Sequence, residues 1–142
     1  MIGFKSDLSK YFDSVPLRFI DKAFDMVEER FGKSTVIDVV RKYYHSDLYF
    51  DEDGNLCEMY QSLKQGCSVA SWLADVIIYH IDSKMSGLKG KYIRYCDDML
   101  YIGEDYLKAM EILTSELELM DMKLNPKKVE YLNPNQWFKF LG

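Results

Sequence analysis

The chain has 142 residues, of which 48% are hydrophobic and 15% aromatic, which fits a folded domain and excludes a disordered protein. Its net charge of −5 argues against a nucleic-acid binder that relies on a basic face of its own. No apolar run reaches the roughly 18 residues of a membrane span, and the first residues predict a strand rather than a signal peptide. The three cysteines lack paired or zinc-type spacing, which indicates a reducing, cytoplasmic setting.

The amino-terminal part of the chain predicts a strand and an amphipathic helix. Weak alternation of apolar and polar residues predicts the strand over residues 2–8, and a turn follows it. Pro16 suits the first turn of a helix, which we expect to continue to about Phe31 and to end at Gly32 in a left-handed cap. The apolar residues of this helix recur at steps of three and four and predict one inward-facing stripe: Leu17, Ile20, Phe24, Val27 and Phe31.

A second helix and a small hairpin are expected next. Ser34 can cap this helix, which should extend to about Tyr44. Its apolar residues are predicted to face inward: Val36, Val39, Val40 and Tyr43. Two short segments, 47–51 and 56–60, flank an Asp-Gly pair, which is typical of a hairpin turn.

The second half of the chain predicts a buried helix, an acidic hairpin and another helix. Residues 67–85 are apolar nearly all round, so we expect a helix that is buried against a sheet. Strands are predicted over 92–96 and 99–102, with two aspartates between them. A helix over 104–122 follows, which Asn125-Pro126 should end. One of its sides is apolar: Leu107, Met110, Leu113, Leu117 and Met120.

Two final strands, at 128–132 and 137–141, complete the order β-α-α-(ββ)-α-β-β-α-β-β. Helices on one face of a mostly antiparallel sheet define the α+β class, and this order contains a ferredoxin-like β-α-β-β-α-β unit. We expect a single domain over residues 1–142. In that topology the first strand lies beside the acidic hairpin, which places Asp7 next to Asp97 and Asp98.

These three carboxylates predict a metal site. An Asp-Asp pair between strands is also typical of a solvated turn, and Asp7 alone is typical of a strand end. Like-charged carboxylates that are partly buried are unfavourable unless a cation offsets them, and Mg²⁺ prefers such oxygen ligands. Three carboxylates on adjacent strands can hold two ions about 4 Å apart, as in-line phosphoryl displacement requires. We therefore favour the metal interpretation for the set.

The chain also carries six short motifs in a fixed order: Asp7-Leu8-Ser9-Lys10-Tyr11-Phe12-Asp13, the Phe12-Asp13 pair within it, Gln65-Gly66 followed by Ser71, Tyr95-Cys96-Asp97-Asp98, Leu124-Asn125-Pro126-Lys127-Lys128, and Phe140-Leu141-Gly142. In this order they resemble the motifs of the reverse transcriptase palm domain, especially of the bacterial retroelement type found in group II introns and retrons. The Tyr-x-Asp-Asp box alone is moderately specific, whereas the ordered set is highly specific and spans residues 7–142.

The resemblance implies an RNA-directed DNA polymerase, which adds dNTPs to the 3′-hydroxyl of a DNA primer on an RNA template. It implies that two Mg²⁺ ions, or Mn²⁺ in their place, are held by Asp7, Leu8 through its carbonyl, Asp97 and Asp98. Lys128, with Lys127 as the second choice, would protonate the leaving pyrophosphate, although a solvated lysine is an equally good interpretation.

The resemblance also implies positions that contact nucleotide and nucleic acid. Phe12 would lie under the incoming sugar and exclude a 2′-hydroxyl, although its spacing alone favours a core phenylalanine. Gln65 and Gly66 would contact the incoming nucleotide. The primer and template are implied to contact five residues: Tyr95, Cys96, Phe140, Leu141 and Gly142.

Departures from the family pattern leave alternatives open. Trp72 follows Ser71 where the family usually has proline, so the resemblance to this motif rests on Gln65-Gly66 more than on Ser71. The basic residues of the fingers and thumb domains are absent from this sequence, so we interpret it as a palm fragment, weakly active or inactive alone, whose parent chain supplies them. The alternatives are a palm-type RNA polymerase or nucleotide cyclase, and a catalytically silent RNA-binding or assembly module. No membrane partner is expected.

Overall fold

The computed structural model of the chain describes residues 2–8, 15–59, 62–63 and 68–141. The chain divides into two compact units, which we call the sheet unit (1–11 and 78–142) and the helical unit (12–77). The elements within the described residues are β1 (Gly3–Asp7), α1 (Leu17–Phe31), α2 (Thr35–Tyr44), β2 (Leu48–Phe50), β3 (Leu56–Glu58), α3 (Ala70–Ser86), β4 (Lys91–Tyr95), β5 (Asp98–Ile102), α4 (Tyr106–Leu119), a 3-10 turn (Pro126–Lys128) and β6 (Val129–Leu132).

The sheet unit is built on an antiparallel sheet of four strands in the order β4-β5-β1-β6, as far as the described residues extend. Counting the last turns of α3 and the whole of α4, its elements follow one another as β-α-β-β-α-β. In the β1–β5 register Asp7 lies opposite Asp98. The predicted α+β class and the position of the first strand beside the acidic hairpin are confirmed.

The two faces of this sheet differ in what covers them. On one face Phe4, Met99 and Tyr101 are fully buried. Helix α3 lies on this face, where its Asp82 accepts hydrogen bonds from Tyr92 and Arg94. Helix α4 lies on the same face, where the Tyr106 ring packs edge-on against Tyr131. An ion pair between Lys84 and Glu116 joins the two helices. Alternation along the strands places Lys91, Ile93, Tyr95, Asp98 and Asp7 on the other face, which we call the open face because the first three of these are exposed in the described structure.

The helical unit holds α1 against α2 through an ion network and an aromatic contact. Arg41 binds Asp25 at 3.0 Å and Asp21 at 3.4 Å, both on α1. The rings of Phe24 and Tyr44 lie 6.2 Å apart and both residues are buried. As predicted, Ser34 caps α2 by accepting a hydrogen bond from the Val36 N–H.

Two predicted apolar stripes in the helical unit are partly wrong. Phe31 at the end of α1 is 78% exposed, and Val36 in α2 is 70% exposed, as are Val39 and Tyr43 to a lesser degree. Tyr44 is instead the buried residue of α2. Gly32 ends α1 with a positive φ of +88°, but its ψ of 168° lies outside the left-handed helical region that was predicted.

The prediction that α3 is buried all round is also wrong. Its buried residues form one face that includes Leu73, Ile77, Ile81 and Met85. The opposite face is exposed and carries residues spaced four apart: Ser71, Asp75 and Tyr79. Few but regularly spaced polar groups are therefore enough to make this helix amphipathic. No helix in the described residues combines the length and apolar character that a bilayer crossing needs.

The C-terminal part of the sheet unit departs from prediction at three places. Helix α4 ends at Leu119, earlier than expected, with Leu107 exposed and Glu116 buried. Asn125 does not end this helix but caps the 3-10 turn through the Lys127 N–H. The strand predicted over 137–141 does not form within the described residues, and the Lys139 carbonyl accepts a hydrogen bond from the Lys5 side chain at 2.6 Å.

Candidate metal centre

A two-residue turn carries the first of the paired aspartates. Tyr95 at the end of β4 lies opposite Asp98 at the start of β5, so Cys96 and Asp97 are the central residues of the hairpin. Cys96 has a φ of +52°, and Asp97 is not among the residues with positive φ. A positive φ at the first central position alone is typical of a type II′ turn, whose twist suits a tight hairpin. This turn projects Asp97 from the tip and leaves Asp98 in the strand.

The end of β1 brings the third acid to this turn. Asp7 lies opposite Asp98 in the register, and the Leu8 N–H donates a hydrogen bond to the Asp97 carbonyl at 2.9 Å. Each of the three aspartates offers a carboxylate oxygen within 4.8 Å of those of the other two. The juxtaposition of Asp7, Asp97 and Asp98 that the topology predicted is therefore present in the fold.

The electrostatics of this cluster are unfavourable without a cation. Partial burial raises the pKa of Asp97, and the negative charges of Asp7 and Asp98 raise it further. Burial and the charge of Asp7 also raise the pKa of Asp98. The Lys128 Nζ lies 3.7 Å from Asp7 Oδ2 and offsets part of the charge. The raised pKa values of Asp97 and Asp98 indicate an excess of negative charge at the turn.

One oxygen atom supports the fit of a metal ion directly. Asp7 Oδ1 is buried and has no hydrogen-bond partner among the described residues. Burying a carboxylate oxygen without a partner costs free energy, and a hard divalent cation is the partner that such an oxygen suits best. The donor set of three clustered carboxylates matches Mg²⁺ or Mn²⁺, so the residues present fit the predicted ions.

An open groove beside the acids contains several of the other predicted site residues. Its volume is about 550 Å³. Predicted residues that line it are Asp7, Tyr95, Asp98, Lys127, Lys128, Phe140 and Leu141. Leu8 is buried next to Asp7, and Cys96 is exposed at the hairpin tip. The remaining predictions, Phe12, Gln65, Gly66 and Gly142, lie outside the described residues.

Three charged residues of the groove were missed by reading the sequence. The Lys5 Nζ bonds Glu130 at 2.9 Å and the Lys139 carbonyl at 2.6 Å, and all three residues line the groove. Lys5 shares its face of β1 with Asp7, so the alternation of the strand could have identified it. Glu130 and Lys139 carry no such signal, because their positions depend on how β6 and the following segment pack.

Comparison with known proteins agrees with this geometry. An antiparallel sheet with helices on one face is the α+β arrangement of a palm-like fold. The chain matches the family described as "Reverse transcriptase (RNA-dependent DNA polymerase)" over residues 2–142. It therefore belongs to the reverse transcriptase family. No curated protein sequence matches it significantly.

Two solved structures of telomerase from Candida tropicalis share the fold. The apo enzyme truncated from its C-terminal domain superposes with a TM-score of 0.68 at 16% identity, covering 96% of this chain and 31% of that one. The apo enzyme superposes with a TM-score of 0.71 at 16% identity, covering 93% and 28%. The chain thus spans about a third or less of the length of these structures. The narrower resemblance to bacterial retroelement enzymes stays a prediction.

Proposed function

We propose that this chain is the catalytic palm of an RNA-directed DNA polymerase that transfers a nucleotide from a dNTP to a primer 3′-hydroxyl on an RNA template. The observation that supports it best is the cluster of Asp7, Asp97 and Asp98 on the open face of the sheet. Membership of the reverse transcriptase family supports the same proposal. The fingers and thumb of a longer parent chain would supply the remaining contacts to template and triphosphate.

The residues of the chain have distinct parts in this reaction. Divalent ions held at the acidic cluster would activate the primer hydroxyl and offset the charge of the departing pyrophosphate. Asp7 and Asp97 are the principal ligands in this proposal, with Asp98 and the Leu8 carbonyl close by. Lys128, whose Nζ lies 3.7 Å from Asp7, would donate a proton to the leaving group in this proposal.

The groove beside the acids would receive the primer in this proposal. Tyr95, Phe140 and Leu141 line it together with Asp7 and Asp98. The aromatic and apolar side chains would pack against the sugars of the primer, and the lysines that line the same groove suit its phosphates. A reducing, cytoplasmic setting is proposed from the spacing of the cysteines in the sequence.

Metal binding by the 142-residue chain tests the site first. Titration with Mn²⁺ should show saturable binding. The bound fraction is measured from the loss of the electron paramagnetic resonance signal of the free ion. Asp97→Asn should weaken it strongly because it removes an anionic ligand. Asp53→Asn is the matched control, since Asp53 also lies in a hairpin turn but is not a member of the cluster. Equal binding by the wild type and Asp97→Asn would contradict the site.

Primer extension tests the activity. The assay uses a polypeptide that contains residues 1–142 within its parent chain, an RNA template, a DNA primer and Mg²⁺. We expect extension with dNTPs and none with Asp97→Asn. Extension with ribonucleotides instead would indicate a palm-type RNA polymerase. Mn²⁺ binding without any extension would contradict the polymerase proposal, and RNA binding without Mn²⁺ binding would indicate a silent RNA-binding palm.

A further inference from the structure

A mostly buried arginine on the helix side of the sheet contacts the turn that carries Asp97. Arg94 lies in β4, two residues before Cys96, and its side chain is 11% exposed. Its Nη1 donates a hydrogen bond to the Cys96 carbonyl oxygen at 3.0 Å. A side chain on the helix-covered face is therefore bonded directly to the backbone of the turn.

Asp82 of α3 fixes the orientation of this guanidinium. Arg94 Nε donates to Asp82 Oδ1 at 2.8 Å, and Nη2 donates to Oδ2 at 2.7 Å. Such a bidentate pair fixes the plane of the guanidinium group as well as its position. The Tyr92 hydroxyl donates to the same carboxylate at 2.7 Å and helps to hold it. The remaining donor, Nη1, is thereby directed at the Cys96 carbonyl.

The turn is a place where such a restraint matters. Cys96 has a φ of +52°, which a residue with a side chain adopts only where its surroundings enforce it. The carbonyl that Arg94 binds belongs to the peptide unit joining Cys96 to Asp97. The following carbonyl, that of Asp97, accepts the Leu8 N–H at 2.9 Å. The backbone of Asp97 is thus held on both sides, once from β4 and once from the end of β1.

Among the described residues, the contact of Arg94 with the turn is this hydrogen bond to a backbone carbonyl. It lies opposite Met99 in the β4–β5 register, whereas Asp98 lies opposite Tyr95. Neighbouring residues of a strand point to opposite faces, so the guanidinium and the strand carboxylates are on different faces of the sheet. This placement supports a role for Arg94 in positioning the turn rather than in binding metal.

We propose that Arg94, anchored by Asp82, is a positioning residue that sets the conformation of the Cys96–Asp97 turn and through it the place of the Asp97 carboxylate relative to Asp7 and Asp98. The inference rests on the proposed metal site. It differs from a general stabilising role because it assigns the pair an effect on metal affinity beyond any effect on folding.

Mn²⁺ affinity of the 142-residue chain, measured by the paramagnetic resonance titration, tests this assignment. Arg94→Lys keeps the charge, but a single ammonium cannot form the bidentate pair and the carbonyl bond together. We expect the affinity of this variant to fall about 10- to 100-fold, the usual effect of losing a group that orients a metal ligand. Asp82→Asn, which weakens only the anchor, should lower the affinity less.

Glu116→Gln is the control for a purely structural effect. It removes the ion pair with Lys84, which joins α3 to α4 in the same unit and does not contact the turn. We expect a lower melting temperature with wild-type Mn²⁺ affinity. The assignment is wrong if Arg94→Lys binds Mn²⁺ as tightly as the wild type does. It is also wrong if Glu116→Gln loses as much Mn²⁺ affinity as Arg94→Lys. If circular dichroism shows that Arg94→Lys does not fold, the same two comparisons are made with Asp82→Asn in its place. Absence of binding in the wild type would instead refute the proposed metal site itself.

Discussion

At the scale of single residues, the acidic cluster makes an unfavourable contribution to folding in the absence of metal. Asp7, Asp97 and Asp98 place like charges together, and burial raises the pKa of both Asp97 and Asp98. The orphaned Asp7 Oδ1 adds a desolvated oxygen without a partner among the described residues. The chain retains these groups against their cost, which is expected where a site is built for a ligand rather than for stability.

Replacing Asp97 by asparagine should therefore stabilise the metal-free chain at neutral pH. The substitution removes one of three like charges and keeps the shape of the side chain. In EDTA we expect Asp97→Asn to melt at a higher temperature than the wild type. In Mn²⁺ the order should reverse, because only the wild type gains stability from bound ions. Scanning calorimetry in both buffers measures the two differences, and a lower melting temperature for Asp97→Asn in EDTA would contradict this account.

The pH dependence of that difference follows from the sign of the shift. Partial burial and its acidic neighbours raise the Asp97 pKa in the folded chain, so the folded state binds more protons than the unfolded state in the acid range. Its contribution to stability is then present below the unfolded pKa and is lost as pH rises through the folded value. In EDTA the gap between Asp97→Asn and the wild type should be widest near pH 7 and close on acidification. A gap that widens towards acid pH would show that the shift has the opposite sign.

Single residues also show how far the sequence predicts the site. The convergence of Asp7 with Asp97 and Asp98 is predictable because strand order places β1 beside β5 and their register sets Asp7 opposite Asp98. The contact of Arg94 with the Cys96 carbonyl does not follow, since it depends on where α3 places Asp82. Groups on neighbouring strands are thus predictable, and groups fixed by helix-to-sheet packing are not.

At the scale of elements, periodicity predicts which residues share a face but not what that face contacts. Val36, Val39 and Tyr43 do share one side of α2, yet that side is exposed while Tyr44 is buried against Phe24. The same limit applies to residues 137–141, whose composition favours a strand although Trp137 is 98% exposed. Strand propensity needs a partner strand, and the sequence of one segment does not contain that information.

The packing of β1 against β5 gives a prediction at this scale. A Cβ added at Gly3 would overlap the Tyr101 carbonyl oxygen and lie 2.9 Å from the Ile102 Cα, both backbone atoms of β5. Backbone atoms in a paired strand cannot move aside cheaply, so Gly3→Ala should lower the free energy of unfolding by about 1–3 kcal/mol. Gly87→Ala is the matched control, since its Cβ would meet only the Lys84 carbonyl at an ordinary 3.4 Å. Urea denaturation measures both variants, and equal midpoints would contradict the predicted overlap.

At the scale of the whole molecule, net charge and local charge give different indications. The chain carries −5 overall, which on its own argues against nucleic-acid binding. Yet Lys5, Lys127, Lys128 and Lys139 all line the groove beside the acidic cluster. The negative potential there comes from a few carboxylates, so bound divalent ions would change its sign locally while altering the total charge little. The sum over the sequence hides this arrangement because it contains no positions.

Binding of an RNA–DNA hybrid should therefore depend on divalent ions more than on the overall charge. In EDTA at physiological salt we expect the 142-residue chain to bind a fluorescent primer–template more weakly than about 100 µM, the weak limit of non-specific binding. Mg²⁺ should strengthen binding of the primer–template by the wild type and by Asp53→Asn. The gain should be far smaller for Asp97→Asn, because the ions must be held at the cluster to attract the primer phosphates. Fluorescence anisotropy with and without Mg²⁺ measures the three proteins. Tight binding in EDTA, or an equal gain from Mg²⁺ in Asp97→Asn, would show that the lysines of the groove bind the nucleic acid without help from the acidic cluster.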